Sequence, residues 1–598
     1  MSRNNGLSAI VSGLAAHPYL CTLGLCLFFE PLVILGAEQN FQDYTLWLET
    51  FVIIGVTAFC WLYTLRSRKL THCSAFTFGI SVTLATCFVI RLFVQSASKN
   101  QEFAGIWAVT IILAFTLISF FLLRKLDNFE YDSVQLNCML IIGLSFFLKL
   151  FYIIVTSVYT RQHDVGEFGD NALHTGYIEY LLKNHQIPDF DVRNHWQFYH
   201  PPLHHAISAV WIYINESVMS LGFNAARESL QVLTLFYSMC VTISAYRILR
   251  FFRLKGWALY IPVTIVSFHP TFILLSGSIN NDILATVFII GAILTTLEWY
   301  RERTMTRILK IALCVGLGMM TKISAAIVAP PIALVFLYVF LKNRKRDKSV
   351  RTPGHSLICY EPNRPQILFQ FVCFGVVCIP LGLWFAIRNY LNWGVPFTYV
   401  PMMDTNSAQY VGRFSYLFRL TDLSTEQFGS PYVHLNVPYS QGYTEYNPTI
   451  ALLKSSLFGE WEIIDTNNTW LGVLSNVAPA MLFWINICIV FFSLVAIVYI
   501  CIKETDPMRR AGIYFITAWY TITMVSFYKM AEDYPFTSTM DFRYISPTVI
   551  VGATFIGLFL NRAIRNSSAT TNRITTYFIG AATFVFAATS SLIYLSVL

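Results

Sequence analysis

Apolar runs of about twenty residues recur along this chain from residue 17 to residue 597. A helix of that length crosses the roughly 30 Å hydrocarbon core of a bilayer. In hydrocarbon the backbone must satisfy its own hydrogen bonds, which leaves helices or a closed barrel. The runs are continuous in Leu, Ile, Val and Phe rather than alternating, so helices are the answer. Of the 598 residues only 12% are charged, where soluble domains carry about 25%. The sequence predicts an all-α polytopic membrane protein.

Fifteen spans are expected, near 17–36, 46–65, 74–95, 104–124, 137–159, 230–250, 256–276, 281–299, 307–321, 324–341, 367–389, 477–502, 511–530, 543–562 and 573–597. Short basic clusters close the second span (Arg66, Arg68, Lys69), the fourth (Arg124, Lys125) and the sixth (Arg247, Arg250, Arg253, Lys255). Cytoplasmic loops gather Lys and Arg, so these ends and the Lys342–Lys348 cluster face inward, and the N-terminus does too. The net charge of +8 is then a topology signal and not a nucleic-acid footprint. For the alternation to hold, Leu203–Met219 must lie in the interface or dip back rather than cross. The thirteen cysteines form no CxxC pair and sit mostly inside apolar runs, as packing residues do. No cleavable signal is expected at the N-terminus.

The polar residues are concentrated in two stretches facing outward. The first, His163–His205, holds seven of the twelve histidines and six acidic residues. Asp164, Glu167 and Asp170 leave the fifth span within seven residues. A carboxylate at the mouth of a span, with low dielectric on one side, suits a general base. Asp170-Asn171 reads as a helix N-cap. Leu173, Tyr177 and Leu181 then repeat at four-residue spacing, with His174, Lys183 and His185 at more polar positions, giving a short amphipathic surface helix. His200-Pro-Pro-Leu203 opens a second one, its prolines suited to a first turn. His200, His204 and His205 include an i, i+4 pair, a metal-ligand spacing, but hydrogen bonding in a polar interfacial helix is the expectation. The second outward stretch, 392–475, is long enough to form a lid. Sequons at Asn215 and Asn467 face the same side. Lys149 and a Glu30–Arg91 pair lie inside apolar runs and read as buried structural pairs.

An acidic residue just past a span, then a surface helix, then His200-Pro-Pro-Leu203, resembles the protein O-mannosyltransferases of the GT-C superfamily. It is also similar to the lipid A aminoarabinose transferases. The family loop opens Phe-Asp-Glu-Val-His-Phe-Gly; here it is His163-Asp164-Val165-Gly166-Glu167-Phe168-Gly169. Asp164, Phe168 and Gly169 match, Glu167 stands where the family has His, and Val165 replaces the second acid. Thr321-Lys322, Arg388-Asn389-Tyr390 and Asp541-Phe-Arg543-Tyr544 follow in the family's order. The resemblance covers 133–598. It implies a GT-C fold of about eleven spans, with a first outer loop at 160–229 and a large outer loop at 390–476. Residues 1–132, about four extra spans, form an accessory N-terminal module.

The resemblance further implies an inverting sugar transfer from a polyprenyl- or dolichyl-phosphate donor to a hydroxyl on a protein, glycan or lipid acceptor. Asp164 is the expected base and Glu167 a second catalytic candidate. Lys322, Arg388 and Arg543 are expected at the donor phosphate, where a fixed cation stabilises the charge that develops. His200, Asp170, His174, Asn281 and Asp282 are expected in the pocket. No nucleotide, cofactor or metal is implied, and no nucleic acid; the membrane is a plasma membrane or an endoplasmic reticulum membrane, with the site on its outer or lumenal side. A transporter or lipid flippase is the alternative, and a non-catalytic envelope assembly partner a third. A transporter is expected to show repeats and midplane polar residues, and this chain instead gathers its polar residues in the two loops.

Overall fold

The computed structural model describes residues 17–38, 134–169, 173–346, 362–433, 445–461, 469–566 and 569–596. Within the accessory region it describes α1 (Pro18–Glu38). The runs near 46–65, 74–95 and 104–124, Arg91, the Asp170-Asn171 cap and the Asn467 sequon lie outside the described residues. α1 lies against the core: the Tyr19 hydroxyl is 3.0 Å from Ser244 Oγ, and Phe29 packs on Phe146 at 5.9 Å.

Each of the eleven runs expected in 133–598 is helical. α2 (Val134–Val155) leads into the first long loop, which carries α3 (Leu173–Asn184), α4 (Leu203–Ser217) and α5 (Phe223–Glu228). α4 occupies the stretch Leu203–Met219, and its 15 residues are fewer than the roughly 20 that a span needs. α6 (Leu230–Phe251) follows. The next run is broken into α7 (Trp257–Ser267) and α8 (Pro270–Gly277), bent by 42°. Pro270 causes the break: it has no N–H to continue a helix and suits the first turn of a new one.

α9 (Asp282–Arg301) and α10 (Met305–Thr321) form a hairpin, and a 3-10 turn at Ile323–Val328 leads into α11 (Ala329–Arg346). α12 (Arg364–Trp393) starts on a reciprocal cap between Asn363 and Gln366. The second long loop holds α13 (Tyr416–Thr421) and α14 (Pro448–Phe458). α15 (Thr469–Lys503), α16 (Pro507–Asp533), α17 (Thr548–Asn566) and α18 (Ala569–Ser596) complete the chain.

Among the described residues, eight helices are long and apolar enough to cross a bilayer, or nine if α7 and α8 count as one span. α10, with 17 residues, falls just short, and α16 is diluted by Tyr, Trp and Thr. The run expected to start at 543 starts at Thr548, because Phe542–Ile545 forms a 3-10 turn instead.

Two helix contacts are closer than a side chain allows. A Cβ on Gly316 of α10 would lie 2.9 Å from Leu381 Cβ of α12, and one on Gly557 of α17 only 2.7 Å from the Ala258 carbonyl of α7. Backbone cannot swing aside as a side chain can. Gly557→Ala is therefore expected to destabilise by about 1–3 kcal/mol, although Ala in an open helix stabilises by about 1 kcal/mol over Gly. A thermal melt in detergent micelles checks the sign; an unchanged or raised Tm means that α7 and α17 separate freely.

Among the described residues Lys149 has no carboxylate partner. It is fully buried and donates to Thr242 Oγ1 at 3.1 Å, with Met239 Sδ at 3.9 Å. The expected ion pair is thus corrected to a bond with neutral acceptors. All nine described cysteines are free.

Candidate active site

Four chain segments converge at the same ends of α2, α9, α10 and α17. The first is the loop after α2. Asp164, Gly166 and Gly169 all have positive φ, at 54°, 68° and 107°. Gly adopts this left-handed region without cost and Asp tolerates it better than most residues. The opening N–H groups of α3 have no partner within their own helix. His174 N donates to the Asp164 carbonyl at 3.0 Å and Thr175 N to the Val165 carbonyl at 3.2 Å. The loop backbone is thereby fixed to α3, and the Asp164 carboxylate turns away from it.

That carboxylate meets Arg543, whose Nη2 donates to Asp164 Oδ2 at 3.0 Å. Arg543 sits in the 3-10 turn before α17, which Asp541 caps by accepting from the Arg543 N–H at 2.9 Å. Asn281 and Asn280 set the third segment. Asn281 Nδ2 donates to the Thr321 carbonyl at 3.1 Å, tying the start of α9 to the end of α10, and Asn280 Oδ1 accepts from Asp282 N at 3.0 Å. The chain passes from α10 through Lys322 in extended conformation (φ −153°, ψ 122°). Its ammonium then donates to Asp282 Oδ1 and lies 4.7 Å from the Tyr544 ring centre. Arg543 Nη1 is 3.7 Å from the other Asp282 oxygen. Asp282 therefore links both cations, and Arg543 links Asp282 to Asp164.

These groups line one cavity of about 250 Å³, together with His174, His200, Gln197, Tyr199 and Asn389. The same lining also includes the apolar side chains of Ile289, Phe385, Val395, Val400, Trp519 and Phe527. Burial works against the Arg543 charge, but Tyr544, Asp164, Asp282 and Asp541 outweigh it and hold the guanidinium above its ordinary value. Burial raises the Asp541 carboxyl, against the pull of His163 and Arg543.

Behind the cavity the histidines stack. His174 Nδ1 is 2.9 Å from His205 Nε2, and the His174 and His200 rings are nearly parallel at 5.5 Å. His204 Nε2 is 2.7 Å from the Ile279 carbonyl. The expected polar face of α3 is thus corrected at His174, which is 2% exposed because α4 covers it. The i, i+4 pair, His200 and His204, is spent on packing and backbone bonding. Burial lowers all four pKa values, that of His204 to about 4 against the opposing pull of the Ile279 carbonyl and Asp282; for His174, His200 and His205 nearby histidines, with Lys322 and Arg543 for the first two, lower them further.

A histidine with a depressed folded pKa takes up its proton more readily when unfolded. Its stabilising contribution is complete above the ordinary pKa of 6.5 and is lost as pH falls from there towards about 4. Melting temperature is expected to fall across that window. His204→Gln should remove on the order of 3 kcal/mol of the acid-side loss. Equal pH slopes in the two proteins mean that His204 is not the group responsible.

Of the residues expected in the site, Asp164, His174, His200, Asp282, Lys322 and Arg543 line the cavity. Glu167 is exposed and outside the lining, its carbonyl accepting from Thr175 Oγ1 at 3.2 Å. Arg388 is also outside it. Its Nη2 donates to the Pro188 carbonyl at 2.8 Å and the guanidinium lies 4.9 Å from the Trp393 ring centre, so it pins the first loop to the end of α12. Asn281 is buried behind the lining as the tie to Thr321. Asp170 lies outside the described residues.

Tyr199, Asn389, His163 and Glu460 are not among the site residues expected from the sequence. His163 and Asn389 carry a signal, being neighbours of Asp164 and Arg388; Tyr199 directly precedes His200, and Glu460 has no comparable local pattern.

Residues 200–360 match the family model described as dolichyl-phosphate-mannose-protein mannosyltransferase. That segment is similar to the family; the match covers 161 of the 598 residues. The matched segment includes His200, Asp282 and Lys322 and leaves out Asp164 and Arg543. No curated protein is matched. Among solved structures, the crystal structure of the Archaeoglobus fulgidus oligosaccharyltransferase complex with Zn and sulfate is similar at 14% identity and a TM-score of 0.38, over 75% of this chain. This chain spans 53% of that one.

Proposed function

We propose that this GT-C chain transfers a sugar from a polyprenyl- or dolichyl-phosphate donor to an acceptor hydroxyl on the extracytoplasmic or lumenal side. The observation that carries the reading is the mixed lining of one cavity. Asp164, Asp282, Lys322 and Arg543 meet there as linked ion pairs, and apolar side chains share the lining. An amphipathic donor, with a phosphate on an isoprenoid tail, has the same mixed character.

In the reaction, the acceptor oxygen attacks the anomeric carbon and Asp164 takes the hydroxyl proton. The carbon–oxygen bond to the lipid phosphate breaks with inversion, and its electron pair goes to the phosphate. The leaving group gains negative charge in the transition state, so cations already in place lower the barrier most. Asp282 holds Lys322 and Arg543 at fixed positions before any donor arrives. The Asp164 carboxylate is 39% exposed at the cavity mouth, where an acceptor arriving from water meets it. Arg388 and Glu167 have no part in this step.

The test is sugar transfer, or donor hydrolysis, by purified protein with a panel of polyprenyl- and dolichyl-phosphate sugars, beside Asp164→Asn. Turnover in the parent that is lost in the folded variant supports the reading. Absence of turnover with every donor, in protein that still binds polyprenyl lipid, refutes it and favours a transport or assembly role.

A further inference from the structure

Three side chains that the transfer step does not use meet beside the cavity. His163 comes from the first long loop, Glu460 follows α14 in the second, and Asp541 begins the turn before α17. His163 Nε2 is 3.2 Å from Asp541 Oδ2, and His163 Nδ1 is 3.6 Å from Glu460 Oε2. One ligand atom from each lies within 4.8 Å of the other two. The two close contacts use opposite ring nitrogens, and one nitrogen serves an ion; ligand atoms of a tetrahedral site with bonds of about 2.0–2.1 Å are about 3.4 Å apart, so the trio, within 4.8 Å, must draw together by up to about 1.4 Å to hold one.

The trio is also built. His163 is 8% exposed and its ring lies 4.2 Å from that of Trp461. Asp541 is 3% exposed and is oriented by the Arg543 N–H. Gly459, at φ 63°, turns the chain out of α14 and presents Glu460. Asp541 Oδ2 accepts no hydrogen bond even with a ring nitrogen 3.2 Å away. The length suits a hydrogen bond and the direction does not, as for two ligands aimed at a shared cation.

We propose that His163, Glu460 and Asp541 bind a divalent transition metal, with Zn²⁺ suited to one imidazole and two carboxylates. The ion joins both long loops to the turn that carries Arg543. None of the three ligands lines the Asp164 cavity, so the role is to hold the loops in place rather than to take part in transfer. The sequence expectation of no metal weighed a histidine spacing within one helix, whereas these ligands come from three separate segments.

The test is metal content of tag-free, full-length protein, equilibrated with Zn²⁺ and desalted, with no donor present. About one ion per chain is expected. His163→Ala and Glu460→Gln should fall to background, while Asp164→Asn keeps its ion. Cobalt in place of zinc should give the visible absorption of a low-symmetry site in the parent and lose it in Glu460→Gln. Should the variants fail to fold, the parent alone decides: Zn²⁺ should raise its Tm and a chelator should reverse the rise. A parent that keeps no zinc and shows no Tm shift overturns the proposal. Zinc retained equally by His163→Ala and Glu460→Gln also overturns it. No readout uses sugar transfer, so failure here and failure of the proposed reaction are separate results.

Discussion

Asp164→Asn is expected to lower sugar transfer by about 10²–10⁴-fold, the usual contribution of a positioned general base. The substitution keeps size and planarity and removes the proton acceptor. It should leave the fold intact. The Asp164 carboxylate is 39% exposed, so its pairing with Arg543 is screened and contributes no more than about 1 kcal/mol. A Tm close to the parent's, together with lost turnover and retained binding of the lipid donor, is the expected set of results. Turnover that survives moves the base elsewhere on the cavity wall. Asp282 is then the next candidate, since Glu167 lies outside the lining. Asp164→Asn, Asp282→Asn and the double variant separate the two carboxylates.

Arg543→Gln should damage both stability and turnover. Arg543 is 7% exposed and lies between Asp164 at 3.0 Å, Asp282 at 3.7 Å and Asp541 at 4.0 Å. Removing it leaves Asp282 with Lys322 and Asp541 with His163. Breaking a buried pair in this way typically costs about 3–5 kcal/mol. Turnover should fall by about 10²–10³-fold, as for the loss of a group that stabilises transition-state charge. Arg543→Lys separates the two effects. It retains a charge and should recover part of the Tm. A single ammonium cannot repeat the forked geometry that reaches Asp164, Asp282 and Tyr544 together, so turnover should stay low. An Arg543→Gln protein that melts and turns over like the parent would remove Arg543 from the site and leave Lys322 as the phosphate-facing cation.

The helices were legible because their signal is local. Twenty apolar residues in a row declare a span wherever they occur, and all eleven runs from residue 133 onward became helices. Where the reading slipped, a neighbour or a proline decided the outcome. Pro270 split the run at 256–276 in two. The turn at Phe542–Ile545 delayed α17 to Thr548. Packing of α4 over α3 placed His174 inside, although its position in the helix suggested a polar face.

In the cavity the same division holds. Asp164, Lys322 and Arg543 could be singled out because a charge at the end of an apolar run is costly, and so conspicuous in a sequence. Their partners are not conspicuous. Asp282 reaches Lys322 across forty residues, and Arg543 reaches Asp164 across 379. Arg388 has the same local signature as Arg543, yet it bonds the Pro188 carbonyl outside the lining.

The sequence by itself determined the class of molecule, the helical runs and the two polar stretches, because hydrophobic periodicity and the cost of a buried charge act residue by residue. Only the tertiary structure decided which charges face the cavity, and that His163, Glu460 and Asp541 meet. Distance between side chains depends on how helices and loops pack, and no local pattern in the chain encodes it.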